Sequence, residues 1–199
     1  MKRRLIPRLP FFRKRPEPAP APASPVERAR ALGVRIGRNV RLIEPISPVA
    51  FSTEPYLIEI GDGTTISFEV VFLTHDGATR VIRHLPDGNP ETVIYGPIKI
   101  GRNCFIGCRS TILPNVTIGD NSIVGACSLV NRDIPPNSVA AGNPCRVICS
   151  LAEYRKKHES DFRYVVSLPR EEKKRLLLES FGLAGPGSSS DDPRPSSPA

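Results

Sequence analysis

Three histidines, His75, His84 and His158, are the side chains of this 199-residue chain best suited to moving a proton near neutral pH. An unperturbed imidazole titrates at about 6.5 and can relieve a hydroxyl of its proton without special tuning. Their settings differ. His158 stands among Lys156, Lys157 and Glu159 in a charged helical stretch and reads as a solvated side chain. His84 falls within residues 76–97 and reads as loop surface, with contact to a substrate as the alternative. His75, in Thr74-His75-Asp76, closes a run of regularly spaced aliphatic and aromatic residues. On the residues alone it is either a base or a corner side chain with its own hydrogen bonds satisfied. The cysteines at 104, 108, 127, 145 and 149 include two C-x-x-x-C pairs. That spacing is loose for a structural zinc site, and no metal is expected. No G-K-[ST] phosphate loop and no paired carboxylates stand out, which argues against nucleoside triphosphate chemistry.

The elements that position these residues are legible from a repeat. From Ile100 every sixth residue is aliphatic: Ile100, Ile106, Ile112, Ile118, Val124 and Val130. Glycine follows at 101, 107, 119 and 125, and Cys104, Ser110, Val116, Ser122, Ser128 and Ile134 stand four places after each aliphatic residue. Between them lie Asn103, Asn115, Asn121 and Asp133, types that tolerate the left-handed backbone of a tight corner. A helix repeats every 3.6 residues and a strand every two, so a period of six means a short strand plus a corner. Three units return the chain to its starting azimuth, stacking coils about 4.8 Å apart with aliphatic side chains inside. Cys104 then fills a small inward slot.

The repeat extends upstream through Ile36-Gly37, Ile60-Gly61, Ile66 and Phe72. The step from Phe72 to Ile100 is not a multiple of six, so residues 76–97 leave the coil as an excursion, a length that compact domains keep for function. About five coils result, roughly 24 Å of prism. The expected fold is all-β, a parallel β-helix over residues 24–149 that opens with a helix at 24–33. That helix has Ser24 as cap, Pro25 in its first turn, Glu27 completing a capping box and Gly33 as its stop. Residues 150–183 read as a C-terminal helical cap over the end of the prism, its second helix running from Pro169 to near Gly182. Gly142-Asn143-Pro144 ends the coil.

Composition bounds the partners. With 22 prolines and 15 glycines an all-helical bundle is disfavoured. The net charge is +8, but seven of the first 16 residues are basic and none is acidic, so the body is nearly neutral and no specific nucleic-acid binding is expected. Residues 1–23, basic and Pro-rich, and 184–199 read as disordered tails. The first tail carries Phe11 and Phe12 and offers weak contact with an anionic membrane, or simply solubilises the chain. No apolar run long enough to cross a bilayer and no secretion signal are visible, and the cysteine count is odd. A cytoplasmic, reduced chain, possible at the membrane periphery, is the expectation.

EPYLIEIGD (54–62), FLTHDG (72–77), PIKIGRNCFIG (97–107) and VNRDIPPNSVAAGNPCRVI (130–148) together resemble the hexapeptide-repeat acyltransferases, in the branch that O-acetylates sugars and cell-surface polysaccharides. The resemblance covers residues 30–150. It implies a left-handed coil, a homotrimer, acetyl-coenzyme A as acyl donor in a groove between prisms, and a saccharide acceptor. It also implies that His75 is the base that takes the acceptor's hydroxyl proton, with direct attack on the thioester in a ternary complex. Glu54, from the EPYLI motif, and Asp76, by adjacency, are the candidates to orient it. Cys108 and Ala126, one coil apart, match positions lining the coenzyme groove, with Cys108 where a serine is common. Asn131, Arg132 and Arg146 match positions near the coenzyme, the two arginines meeting its phosphates, with Arg109 a further cation. Cys149 stands where some relatives carry a basic residue.

Three other functions remain open on the sequence: an N-acetyltransferase acting on an amino-sugar nucleotide, a non-catalytic β-helix scaffold with a basic tail, and a metal-dependent carbonic anhydrase of similar fold. The last needs three converging histidines, and the coils after Ile100 contain none.

Overall fold

The structure is a computed structural model that describes residues 24–47 and 49–183; the expected tails at 1–23 and 184–199 lie outside the described residues. The chain divides into two units, residues 1–155 and 156–199. The first opens with helix α1 (Pro25–Ala31). Its capping box is complete: Ser24 Oγ accepts from Glu27 N, and the Glu27 carboxylate accepts from Ser24 N at 2.9 Å. Gly33, at φ +107°, turns the chain out of the helix and into the first coil.

From there short strands visit three faces in rotation. The first face holds β1 (Arg35–Ile36), β3 (Ile58–Ile60), β8 (Ile98–Ile100) and β11 (Thr117–Ile118), all parallel. The second holds β2 (Arg41–Leu42), β4 (Thr65–Ile66), β9 (Phe105–Ile106), β12 (Ile123–Val124) and β14 (Ser138–Ala141), also parallel. The third holds β5 (Val71–Phe72), β10 (Thr111–Ile112) and β13 (Leu129–Val130). The result is a three-sided parallel β-helix.

Register explains the period of six. Ile60, Ile100 and Ile118 are paired in series on the first face, Ile66, Ile106 and Val124 on the second, and Phe72, Ile112 and Val130 on the third. All nine are buried. Each contributes roughly 1.5–3 kcal/mol of apolar burial, and the columns form one continuous core. Cys104 fills its inward slot, with desolvation pushing its thiol pKa up.

The corners show what the small residues do. Asn39, Asn103, Asn121 and Asn137 share one edge, all with φ between 52° and 56°. Their amides form a ladder, Asn103 Nδ2 donating to Asn121 Oδ1 at 2.8 Å and Asn121 Nδ2 to Asn137 Oδ1 at 3.1 Å. Just before each corner the coils approach closely. A Cβ at Gly101 would sit 2.7 Å from Asp120 N, which is why no side chain is tolerated there. The next edge departs from the expected residue types: Glu69, Arg109 and Cys127 are left-handed at φ 57–58°. The ion pair of Arg109 with Glu69 at 2.6 Å supports that edge.

Two expectations are corrected. Asp133 is not left-handed, and Ile134 is not a corner residue. The last coil is shorter, pairing Ile134 with Ile118 across 16 positions rather than 18. None of residues 131–133 is left-handed, and Asp133 Oδ1 instead accepts from Thr117 N at 2.7 Å. Beyond Gly142 the chain reverses, and β15 (Arg146–Ser150) pairs antiparallel with β14, with Cys145 buried at the turn. This hairpin ends the parallel stack, while α3 (Leu151–Lys157) and α4 (Arg170–Ser180) bury none of their residues.

The excursion leaves after Thr74 and folds as β6 (His75–Asp76), helix α2 (Thr79–Arg83) and β7 (Ile94–Tyr95), with β6 and β7 antiparallel. It rejoins the same rung, Gly96 N donating to Thr74 O at 2.9 Å. Gly96 then lies directly beneath Asn115, where a Cβ would meet Asn115 N at 2.6 Å.

Candidate active site

His75 is fixed from three sides. Its backbone belongs to β6, paired opposite Tyr95 of β7. Its ring meets the Tyr95 ring edge-on, centroids 6.1 Å apart. Its Nδ1 faces a segment that stacks beneath β5, where Phe72 N donates to Ala50 O and the Phe51 and Phe72 rings stack at 5.6 Å. That packing delivers Ser52, Thr53 and Glu54 to the imidazole.

Glu54 Oε2 lies 2.9 Å from His75 Nδ1, with Thr53 Oγ1 at 3.3 Å and Ser52 Oγ at 3.4 Å. The same carboxylate accepts from Thr53 Oγ1 at 2.6 Å and from the fully buried Thr74 Oγ1 at 2.8 Å. Burial alone would raise the Glu54 pKa. Hydrogen bonds from Thr53, His75 and Thr74, with the charge of the imidazole, outweigh it and hold the carboxyl below its usual range. An ionised carboxylate only accepts, so Nδ1 carries the proton that it donates to Glu54. The lone pair then lies on Nε2, which is engaged by none of these groups, and the ring is about one-third exposed. Sequence reasoning found Glu54; it missed Ser52, Thr53, Thr74 and Tyr95. Thr74, adjacent to His75 in sequence, was the one visible signal.

The other proposed partner, Asp76, faces elsewhere, its Oδ1 accepting from Ala78 N at 2.8 Å to start the turn into α2. His84 ends α2 with its Nδ1 2.6 Å from Arg80 O, and His158 pairs with Asp161 at 3.0 Å. His84 reaches His75 through no described contact. Among the described residues, no three His, Cys, Asp or Glu side chains cluster as a metal would require.

The remaining candidates form two columns. Cys108 and Ala126 lie at the edge leading into the third face, on successive coils, with Cys127 N donating to Cys108 O at 2.8 Å. Cys108 is half-buried and Ala126 exposed, leaving a shallow outer surface. Asn131 and Arg132 lie at the edge leaving that face, the edge of His75, two coils further along since Val130, Ile112 and Phe72 are in register. Arg146 Nη1 reaches Asn131 Oδ1 at 3.4 Å, and Arg132 is exposed and free of partners among the described residues. The third face separates the columns within one chain. Arg109 is occupied by Glu69, and Cys149 lies on β15.

A family model described as bacterial transferase hexapeptide (six repeats) matches residues 90–132. Protein CapG of Staphylococcus aureus is 41% identical over 155 residues, 78% of this chain and 88% of the relative. Galactoside O-acetyltransferase of Escherichia coli (strain K12) is 40% identical over 134 residues, 67% of this chain and 62% of the relative. Among solved structures, a galactoside acetyltransferase in complex with coenzyme A aligns at TM-score 0.46 with 28% identity, covering 73% of this chain and 78% of that one. An identity of 41% sustained over most of both chains, on top of a matched repeat, is not produced by shared periodicity alone: the chain belongs to the hexapeptide-repeat acyltransferases.

Proposed function

We propose that this protein transfers an acetyl group from acetyl-coenzyme A to a hydroxyl of a saccharide, with His75 as general base. The observation that carries this reading is the Glu54–His75 pair, 2.9 Å apart, with the proton on Nδ1 and the lone pair on Nε2. Glu54 holds the tautomer and stabilises the imidazolium that forms when Nε2 takes the acceptor's proton. The hydroxyl oxygen then attacks the thioester carbon directly, and the thiol leaves. Tyr95, half-exposed beside the imidazole, offers a flat apolar face against which a sugar ring stacks.

The two columns support an assembly. Within one chain the His75 edge and the Cys108–Ala126 edge lie on either side of the third face, so neither alone encloses a thioester. A homotrimer of left-handed coils would set one subunit's His75 edge opposite the next subunit's Cys108 and Ala126. Pantetheine would run between them, with Arg132 and Arg146 available to the coenzyme's phosphates. The donor site fits residues present here: small side chains for a slim chain, then exposed arginines for anions.

A thiol-release assay with acetyl-coenzyme A and a panel of sugars, nucleotide sugars, amino sugars and polysaccharide fragments tests the reaction. His75→Ala is expected to fold normally and lose about 10²–10⁴-fold in turnover. Near-normal turnover in that variant sinks the assignment.

A further inference from the structure

Helix α4 presents a surface that acetyl transfer does not use. Its residues 170, 173, 174, 177, 178 and 181 follow the i, i+3, i+4, i+7, i+8, i+11 spacing of one helical face. Read in order they are Arg170, Lys173, Lys174, Leu177, Leu178 and Phe181. With Leu183 they line a single shallow groove of about 420 Å³ that contains no acidic side chain. Phe181 and Leu183 are 62% and 67% exposed, and the Arg163 guanidinium stands 6.0 Å over the Phe181 ring. Four cations thus surround a patch of leucine and phenylalanine. Of the acids on α4, Glu172 and Glu179 fall on the opposite side, where Glu179 pairs with Arg175 at 3.0 Å, and Glu171 stands at the border of the face. The segment entering the helix also leaves Tyr164 and Val166 almost fully exposed.

We propose that this face of α4 docks on an anionic lipid surface. Two features favour a bilayer over other occupants. The first is charge complementarity: the groove is lined by basic and apolar side chains and by no carboxylate, which suits anionic headgroups. The second is the order along the axis, three basic residues in the first turns and three apolar residues in the last. A helix tipped by its C-terminal end places Leu177, Leu178 and Phe181 at the acyl boundary while Lys173 and Lys174 stay among the phosphates. The inference is independent of the acetyl-transfer reading, since none of these residues belongs to the candidate site.

Vesicle flotation of the full chain tests it, comparing phosphatidylcholine alone with phosphatidylcholine containing phosphatidylglycerol. Selective binding to the anionic vesicles is expected, weakened about tenfold by the double variant Lys173→Glu, Lys174→Glu and similarly by Phe181→Ser. Deletion of residues 1–23, the other basic segment, should leave α4-dependent binding in place. Circular dichroism and light scattering on each variant report folding and oligomeric state. The proposal is overturned if no phosphatidylglycerol-selective binding occurs. It is equally overturned if binding is indifferent to the α4 substitutions and vanishes with the tail, or if the substitutions dissociate an oligomer, which would make the face a contact between copies. Tighter binding to duplex DNA than to anionic vesicles would also overturn it.

Discussion

Glu54 and His75 stand 21 positions apart in sequence, yet the carboxylate Oε2 comes within 2.9 Å of the imidazole Nδ1. The link is made by stacking. The segment carrying Glu54 lies under β5, and β5 ends two residues before Thr74, which itself donates to the same carboxylate. Three donors on one carboxylate keep it ionised and leave His75 a single tautomer.

Replacing Glu54 by Gln should therefore impair both catalysis and stability, and the pH dependence of the stability loss distinguishes it from misfolding. Turnover at neutral pH is expected to fall at least about tenfold, because Nδ1 loses its anionic acceptor. The Glu54 pKa is lower in the folded chain than in the unfolded one. Its contribution to stability is thus complete above the ordinary glutamate range, about pH 4.3, and disappears as pH falls through the lowered folded value. Urea midpoints should show Glu54→Gln destabilised by about 1–3 kcal/mol at pH 7, with the gap to the parent narrowing on acidification. A gap that is constant with pH would contradict the lowered pKa.

Tyr95 should affect the acceptor and leave the donor alone. Tyr95→Ala is expected to raise the acceptor's KM about three- to tenfold, the worth of one aromatic stacking contact, with little change in KM for acetyl-coenzyme A. Tyr95→Phe keeps the ring and should behave like the parent. Steady-state kinetics with each substrate varied in turn separates the two effects, and a donor-only change would contradict the assigned role.

Arg132 and Arg146 make the reverse prediction. Each exposed guanidinium, replaced by Ala, should raise KM for acetyl-coenzyme A about tenfold through loss of charge-assisted hydrogen bonds, leaving the acceptor's KM in place. The loss should shrink at high salt, where screening has already weakened the contact. Isothermal titration with coenzyme A at two ionic strengths measures it without any acceptor present.

The scaffold should be intolerant where coils touch. Gly101→Ala drives a Cβ against the backbone of Asp120, and Ile106→Ala empties a fully buried site in the second face. Ile106→Ala is expected to cost about 2–5 kcal/mol, read as a lowered denaturation midpoint. Gly101→Ala should also unfold earlier, whereas Lys99→Ala, exposed on the same rung, should change little.

The sequence carried the coil because its signal is local. Ile100, Ile106, Ile112 and Ile118 repeat at the period of the structure itself, and the same arithmetic set Cys104 inward. It failed where the period changed. Two residues drop out between Val130 and Ile134, so Ile134 lands on Ile118 and Asp133 acts through its carboxylate. The left-handed corner at Glu69, Arg109 and Cys127 escaped notice because those types carry no such preference, and their geometry is imposed by the coils on either side. The hairpin of β14 and β15 was not legible, because Gly142-Asn143-Pro144 reads as the end of the coil and not as the turn into a returning strand. At the candidate site, His75 and Glu54 stood out through motifs, while Ser52, Thr53 and Tyr95 are joined to His75 only by stacking and strand pairing, which no spacing along the chain reports.

The excursion departs from Thr74 and comes home at Gly96, on the very rung it left, fastened by one hydrogen bond across the gap. The coils above and below therefore keep their alignment whatever lies between those two anchors. Loops of other lengths and chemistries can be grafted there without retuning the prism. Acceptor preference in such a protein is free to diversify between β6 and β7, while the imidazole on β6 and its carboxylate on the coil, both outside that exchanged stretch, stay in place.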